Sequence, residues 1–171
     1  YKNMKILITG AAGFIGFNFS KFLLEKTKFN IIGIDNLNTY YSVKVKQERL
    51  KLLNKSRRFK FVKLDLTNKS RLEKIFKNKI YAVFNFAAQA GVRYSIKNPR
   101  AYIESNMLGF FNVIELSIKN NIKKIFYASS SSVYGESKKF PLSEIDPISP
   151  KNIYGLTKKN NEEICELLSN Y

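Results

Sequence analysis

Short, almost unbroken apolar runs alternate with segments of helical period along this chain, and that alternation leaves few architectures open to it. Five runs predict strands: Lys5-Ile-Leu-Ile-Thr9, 31–34, Phe59-Lys-Phe-Val-Lys63, 81–84 and 124–127. Between them the spacing predicts helices over Phe14–Lys26, Val43–Leu53 and 70–76. A long helix is expected over 99–118, with Ile103, Met107, Phe110, Phe111, Ile114 and Ile118 on one core-facing stripe. A serine- and proline-rich loop over 129–150 leads to a last helix near 152–169, whose apolar stripe is also expected to be core. Apolar strands separated by helices imply a parallel sheet covered on both faces. Right-handed crossovers then give an α/β, doubly wound fold. No repeat or linker divides the chain, so residues 1–171 are expected to form one domain. A six-stranded sheet would need a further strand after the last helix, so the chain is expected to be truncated.

Composition removes whole classes of chemistry. The chain has no histidine and one cysteine, Cys165. A Ser-His-Asp hydrolase, an internal disulfide and nearly all zinc sites are excluded, and no metal is expected. Cys165 reads as a packing residue. No apolar run approaches the roughly 18 residues of a membrane span. The apolar stretch after Tyr1-Lys2-Asn3-Met4-Lys5 is too short for a secretion signal. A cytoplasmic protein without a membrane partner is the expectation.

The net charge of +17 admits a nucleic-acid partner. However, 24 of the 30 cations are lysine, scattered along the chain, and 18 asparagines and 18 isoleucines accompany them. These residues share A/T-rich codons, so genome composition accounts for the bias. Base-reading proteins favour arginine. A solvated basic surface and no nucleic acid are therefore expected. The one dense basic patch is Arg57-Arg58-Phe59-Lys60, beside the third strand.

Thr9-Gly10-Ala11-Ala12-Gly13-Phe14-Ile15-Gly16 stands between the first strand and the first helix. Such a loop lets backbone N–H groups meet a pyrophosphate at a helix N-terminus, where the helix dipole favours negative charge. Gly10 and Gly13 leave room for that approach, and Gly16 lets the helix pack closely on the strand. Asp35 closes the second strand 19 residues after Gly16. A carboxylate there accepts hydrogen bonds from the ribose hydroxyls of NAD and repels the 2′-phosphate of NADP. NAD is thus the expected cofactor. Asp65-Leu66, after the third strand, is placed either at an adenine edge or, through Asp65, at a helix N-cap.

Tyr154 and Lys158 lie one turn apart at the start of the last helix. Ser129 to Ser132 and Val133-Tyr134-Gly135 follow the fifth strand, and functional groups of such sheets gather beyond the strands' carboxyl ends. Free tyrosine ionises near pH ~10, so half-ionisation at neutral pH takes about 4 kcal/mol. An ammonium about 5 Å away at an effective dielectric of ~20 supplies about 3 kcal/mol, and a positive nicotinamide ring adds to it. A tyrosine base therefore works without histidine or metal.

Together these motifs resemble the extended short-chain dehydrogenase/reductase family of NAD-dependent nucleotide-sugar epimerases and dehydratases. The resemblance also rests on Asp35-Asn36-Leu37-Asn38-Thr39-Tyr40-Tyr41 and on the run from Asn85 through Phe86-Ala87-Ala88-Gln89-Ala90-Gly91-Val92-Arg93-Tyr94 to Ser95. Within the family, these runs look like those of UDP-glucuronate 4-epimerases. The resemblance implies a Rossmann fold with a C-terminal substrate domain, largely missing here. It implies Tyr154 as the base, Lys158 as its ribose-binding partner, and Ser130 at the sugar 4-oxygen. It places Phe14, Ile15, Asn36, Asn38, Asp65, Leu66, Phe86, Ala87, Ala88, Gln89 and Asn106 around the cofactor. Arg93, Ser130 and Ser132 would meet the nucleotide-sugar substrate, although Arg93 also reads as a plain surface arginine. Dehydratases of this family carry an Asp-Glu pair after the position of Ser130. Ser131 and Ser132 stand there instead, which favours 4-epimerisation through a 4-keto sugar over 4,6-dehydration. The family pairs subunits through similar helices, implying a homodimer. Other sugar epimerases, a non-catalytic NAD module and a nucleic-acid binder are the remaining readings, and the isolated chain is expected to be inactive.

Overall fold

The computed structural model describes residues 4–137 and 140–169. Tyr1, Lys2 and Asn3 of the N-terminal stretch, Lys138 and Lys139 of the serine- and proline-rich loop, and Asn170 and Tyr171 lie outside the described residues. The strands are β1 (Lys5–Thr9), β2 (Asn30–Asp35), β3 (Phe59–Lys63), β4 (Ile80–Asn85) and β5 (Ile125–Tyr127). The helices are α1 (Phe14–Lys26), α2 (Val43–Leu53), α3 (Lys69–Phe76), α4 (Val92–Lys97), α5 (Pro99–Tyr102), α6 (Phe110–Lys119) and α7 (Ile153–Leu168). A π-helix spans Ile103–Gly109 and a 3₁₀ turn spans Ser131–Tyr134. Two compact units form, residues 1–87 with 112–127 and residues 88–111 with 128–171.

The first unit is built on a parallel sheet of order β3-β2-β1-β4-β5. Successive side chains of a strand point to opposite faces, and both faces of β1 are apolar. Ile6 and Ile8 join Ile31 and Phe59 in one core, roofed by Leu23 of α1 and by Leu50 and Leu53 of α2. Leu7, in register with Ile32 and Val83, joins the other core with Leu72 and Phe76 of α3 and with Val113 and Leu116 of α6. Each such buried aliphatic side chain stabilises the fold by about 1.5–3 kcal/mol. The doubly wound expectation is met, and the strand order reverses beside β1, where ligands of such sheets bind.

Arg58, from the dense basic patch, faces inward on the protein. Its guanidinium donates to the carbonyls of Thr27 (2.7 Å), Phe29 (3.2 Å) and Leu24. These include orphan acceptors at the C-terminal end of α1, where a cation also suits the helix dipole.

The second unit holds α4, α5, the π-helix, the 3₁₀ turn and α7. The helix expected over 99–118 is instead α5, the π-helix and α6 in succession. A π segment has more residues per turn, which rotates the stripe. Phe110 and Ile114 are buried as expected and Met107 is half-buried, but Ile103, Phe111 and Ile118 are exposed. Tyr102 and Asn106 are buried in their place. The apolar face expected of α7 is likewise not core. Its buried residues are Gly155, Thr157, Lys158 and Asn161, whereas Leu156 and Leu167 are exposed and Cys165 is half-buried. Among the described residues no helix is long and apolar enough to cross a membrane.

Candidate functional site

The glycine loop is fixed from below by β1. Thr9, fully buried, donates from Oγ1 to Asn85 Oδ1 (2.6 Å) and accepts from the Ala87 amide (3.1 Å). The chain then turns at Gly10 with φ +68°, where a Cβ would stand 2.7 Å from the Ala87 nitrogen, so only glycine fits. Gly13 is the N-cap of α1 and offers no side-chain cap, and no acid stands in the first turn. Phe14 and Ile15 project outward, and a Cβ on Gly16 would run into the Gly10 carbonyl. An uncapped helix N-terminus without carboxylates is a donor set that fits the pyrophosphate of a dinucleotide.

Asp35 ends β2 with its carboxylate against that loop. Oδ2 accepts from the Ala12 amide (3.1 Å) and Oδ1 from the Leu37 amide (2.8 Å). Each oxygen retains a lone pair for a ribose hydroxyl. Asn36 donates to Asp65 Oδ2 (2.8 Å), and Thr67 donates to Asp65 Oδ1 from its amide (3.0 Å) and hydroxyl (2.7 Å). Burial opposes the charge on Asp65, but these hydrogen bonds outweigh it and hold the carboxyl below its ordinary range. Asp65 is not the N-cap of α3; Asn68 is, accepting from the Arg71 amide (3.1 Å). Leu66 is a core residue whose carbonyl accepts from Asn112 (2.8 Å). Phe86 packs edge-on to Phe19, and Ala87 is half-buried.

Three residues that the sequence did not single out by role surround the same loop. Arg49 donates through Nη1 to the Ala12 carbonyl (3.2 Å) and to the Tyr41 hydroxyl (3.1 Å). Lys46, 4% exposed, donates to both the backbone and side-chain oxygens of Asn38 (2.8 Å each) and lies over the Tyr41 ring. Burial pushes the Lys46 ammonium below the usual lysine range, against the pull of Asp35, and burial pushes the Tyr41 phenol up. Spacing on α2 places Lys46 and Arg49 on one face, the only signal that sequence offered.

The second unit assembles the tyrosine, lysine and serine positions. Asn106, in the π-helix and 1% exposed, clamps Gln89: its Oδ1 accepts from the Gln89 amide (2.7 Å) and its Nδ2 donates to the Gln89 carbonyl (3.0 Å). The same Nδ2 donates to Thr157 Oγ1 (3.2 Å), which in turn donates to the Tyr154 carbonyl (2.8 Å). Lys158, 5% exposed, donates to the Ala128 carbonyl just past β5 (2.7 Å). Burial lowers its pKa to about 8, against the pull of Glu162. Ser130 caps the 3₁₀ turn by accepting from the Ser132 amide (3.2 Å), and both serines are half-buried. A Cβ on Gly155 would stand 2.5 Å from the Ser132 carbonyl oxygen, so this glycine seats α7 directly on the serine turn.

The Tyr154 ring meets Tyr102 edge-to-face with centroids 6.0 Å apart. Tyr102 is fully buried and anchored by its hydroxyl to the Ala90 carbonyl (2.7 Å), a support that the expected stripe left out. Ala88 is half-buried, and Arg93 is exposed on α4. Among the described residues no group of three or more His, Cys, Asp or Glu side chains is arranged to hold a metal ion.

Comparison with known proteins follows the same lines. Residues 7–170 match the family model described as GDP-mannose 4,6 dehydratase. Protein CapI of Staphylococcus aureus is 49% identical over 168 residues, which are 97% of this chain and 50% of that protein. The UDP-glucuronate 4-epimerase of Thermodesulfobacterium geofontis is 45% identical over 160 residues, covering 91% of this chain and 48% of that one. The crystal structure of UDP-glucuronic acid 4-epimerase from Bacillus cereus, in complex with UDP-glucuronic acid and NAD, matches with a TM-score of 0.89 at 33% identity. That match covers 96% of this chain and 52% of the other. The chain spans about half the length of the curated relatives it matches.

Proposed function

The chain belongs to the GDP-mannose 4,6-dehydratase family, and on that premise we propose that it carries the NAD-binding part of a UDP-sugar 4-epimerase acting on UDP-glucuronate. The observation that carries this reading is the start of α7. Tyr154 stands one turn before a buried Lys158 that the Ala128 carbonyl holds, and Gly155 seats the helix on the serine turn. The amides at the start of α1 hold the pyrophosphate, and Asp35 accepts the ribose hydroxyls. Tyr154 takes the proton of the sugar 4-hydroxyl and later returns it, while Ser130 holds the same oxygen by a hydrogen bond. Lys158 keeps a positive charge near the phenol and donates to ribose. When bound, NAD would supply the redox chemistry, accepting a hydride from C4 to leave a ketone and returning it to the opposite face of the sugar. Arg93 meets the sugar carboxylate or a phosphate of the nucleotide sugar.

Ser131 and Ser132 support epimerisation over dehydration, because neither can act as the acid–base pair that removes water. A homodimer belongs to the same reading, supported by exposed Ile103 and Leu108 on the π-helix and Leu156 and Leu167 on α7. So does a cytoplasmic setting. The test is incubation of the full-length protein with UDP-glucuronate and, separately, UDP-glucose, with product analysis. Inversion at C4 of UDP-glucuronate is expected. A 4-keto-6-deoxy product would make the protein a dehydratase, and no conversion of either sugar would overturn the reading. Tyr154→Phe is expected to abolish turnover, by at least about 100-fold, while sparing NAD binding measured by calorimetry.

A further inference from the structure

The backbone of Tyr154 is fixed from several sides, but its side chain is not. Asn152 caps α7 by accepting from the Gly155 amide (2.8 Å), Thr157 donates to the Tyr154 carbonyl (2.8 Å), and Gly155 sits directly on the serine turn. Among the described residues, by contrast, the Tyr154 hydroxyl makes no hydrogen bond, and Tyr102 is the one aromatic ring packed against the Tyr154 ring. The two centroids lie 6.0 Å apart with the planes at 73°, an edge-to-face contact. Tyr154 is half-buried, and its hydroxyl stands at the far end of a side chain that turns about its χ bonds. A small rotation near Cα is therefore magnified at the oxygen that has to meet the proton.

Tyr102 is itself held from both ends. It is fully buried, and its hydroxyl donates to the Ala90 carbonyl (2.7 Å) and shares the same proton with the Gly91 carbonyl. Those carbonyls lead into α4, whose N-cap is Gly91. The Tyr94 ring of α4 lies against Tyr102 with centroids 6.3 Å apart, and its hydroxyl accepts from Asn98 (3.2 Å), the N-cap of α5. All these residues belong to the second unit. We propose that Tyr102 is a positioning residue: its anchored ring sets the direction of the Tyr154 phenol, so that the base meets the sugar 4-hydroxyl in one orientation. This role rests on the reading of Tyr154 as the base. Plain core packing is the competing role for Tyr102, and it makes a different forecast. Loss of a packing residue lowers the amount of folded protein and leaves each folded chain at full rate. Loss of a positioning contact lowers turnover in chains that still fold and bind, because a misplacement of about 1 Å slows a reaction roughly 100-fold.

The experiment is steady-state kinetics of the full-length protein with UDP-glucuronate, with turnover expressed per NAD-binding chain counted by calorimetry. Tyr102→Leu removes the ring, while the Ala90 and Gly91 carbonyls still accept from Gln89 Nε2 (3.4 Å) and the Ser95 amide (3.2 Å). This variant is expected to lower kcat by about tenfold or more and to move KM and NAD affinity by less than about threefold. Tyr102→Phe keeps the ring and is expected to hold kcat within about threefold of wild type. Tyr102→Met fills more of the space without a ring, is expected to match leucine, and serves if the leucine variant does not fold. An unchanged kcat per binding chain in Tyr102→Leu or Tyr102→Met would overturn the inference in favour of packing, as would a rise in KM equal to the fall in kcat. A tenfold fall in kcat in Tyr102→Phe would also overturn it, and that variant, changed by a single oxygen, decides the matter if neither truncation folds. No turnover by wild type, or full turnover by Tyr154→Phe, would overturn the reading of Tyr154 and the inference together. An inactive Tyr154→Phe beside a fully active Tyr102→Leu would overturn the inference alone.

Discussion

At the scale of single residues, Lys158 shows what sequence could not supply. Its place one turn after Tyr154 is legible from spacing alone, but its near-complete burial is not. Burial penalises the ammonium and lowers the folded pKa to about 8 from 10.5. The sign follows from proton uptake. Below about pH 8 the lysine is protonated in both folded and unfolded chains, and above 10.5 it is neutral in both. Between those values only the unfolded chain holds the proton, so stability rises with pH, by up to about 3 kcal/mol. Denaturant midpoints measured across that interval are expected to climb in wild type. In Lys158→Met the climb is expected to vanish; an identical slope in both would refute the burial account. Asp65 teaches the same lesson. A carboxylate after β3 reads as an adenine-edge residue or as a helix cap; Asn68 takes the cap, and Asp65 accepts from Asn36 and Thr67.

At the scale of elements, the strands are legible because a parallel sheet buried on both faces demands apolar runs, and the runs in β1, β2 and β4 are scarcely interrupted, whereas β3, at the sheet edge, alternates with exposed lysines. The helices around residues 92–119 are less so. Val92–Lys97 has only six residues, too few for periodicity to register. The π-helix differs from the expected α-helix by its wider turn, and a stripe drawn at 3.6 residues drifts off the core side within it. On α7 the buried face is polar, and Thr157, Lys158 and Asn161 carry no apolar signal. Gly155 is the element-scale prediction. A Cβ there meets the Ser132 oxygen at 2.5 Å and Pro150 Cβ at 3.1 Å, and the first contact is with rigid backbone. Gly155→Ala is therefore expected to destabilise the chain by about 1–3 kcal/mol, as overpacking does, despite alanine's better helix propensity. Thermal melts of the two chains decide it, and an unchanged or higher melting temperature would show that α7 does not sit closely on the serine turn.

At the scale of the whole molecule, the charge of +17 is the feature most open to misreading. The dense patch at residues 57–60 was the natural place for a polyanion, but Arg58 is engaged with three carbonyls of its own chain. A protein contacting Z phosphates shows a log–log salt dependence with slope near about −0.9Z. Filter binding of duplex DNA at two salt concentrations is expected to show weak retention already lost at physiological salt. Tight retention with a steep slope would restore the nucleic-acid reading. Arginine and lysine differ in one more respect in this fold. Of 30 cations only 6 are arginine, and Arg58 and Arg49 each serve more than one acceptor through a flat, multiply armed head that an ammonium does not have. A genome that drifts toward lysine codons can repaint the solvated exterior freely, but at these two positions the shape of the side chain, rather than its charge, limits how far that drift can go.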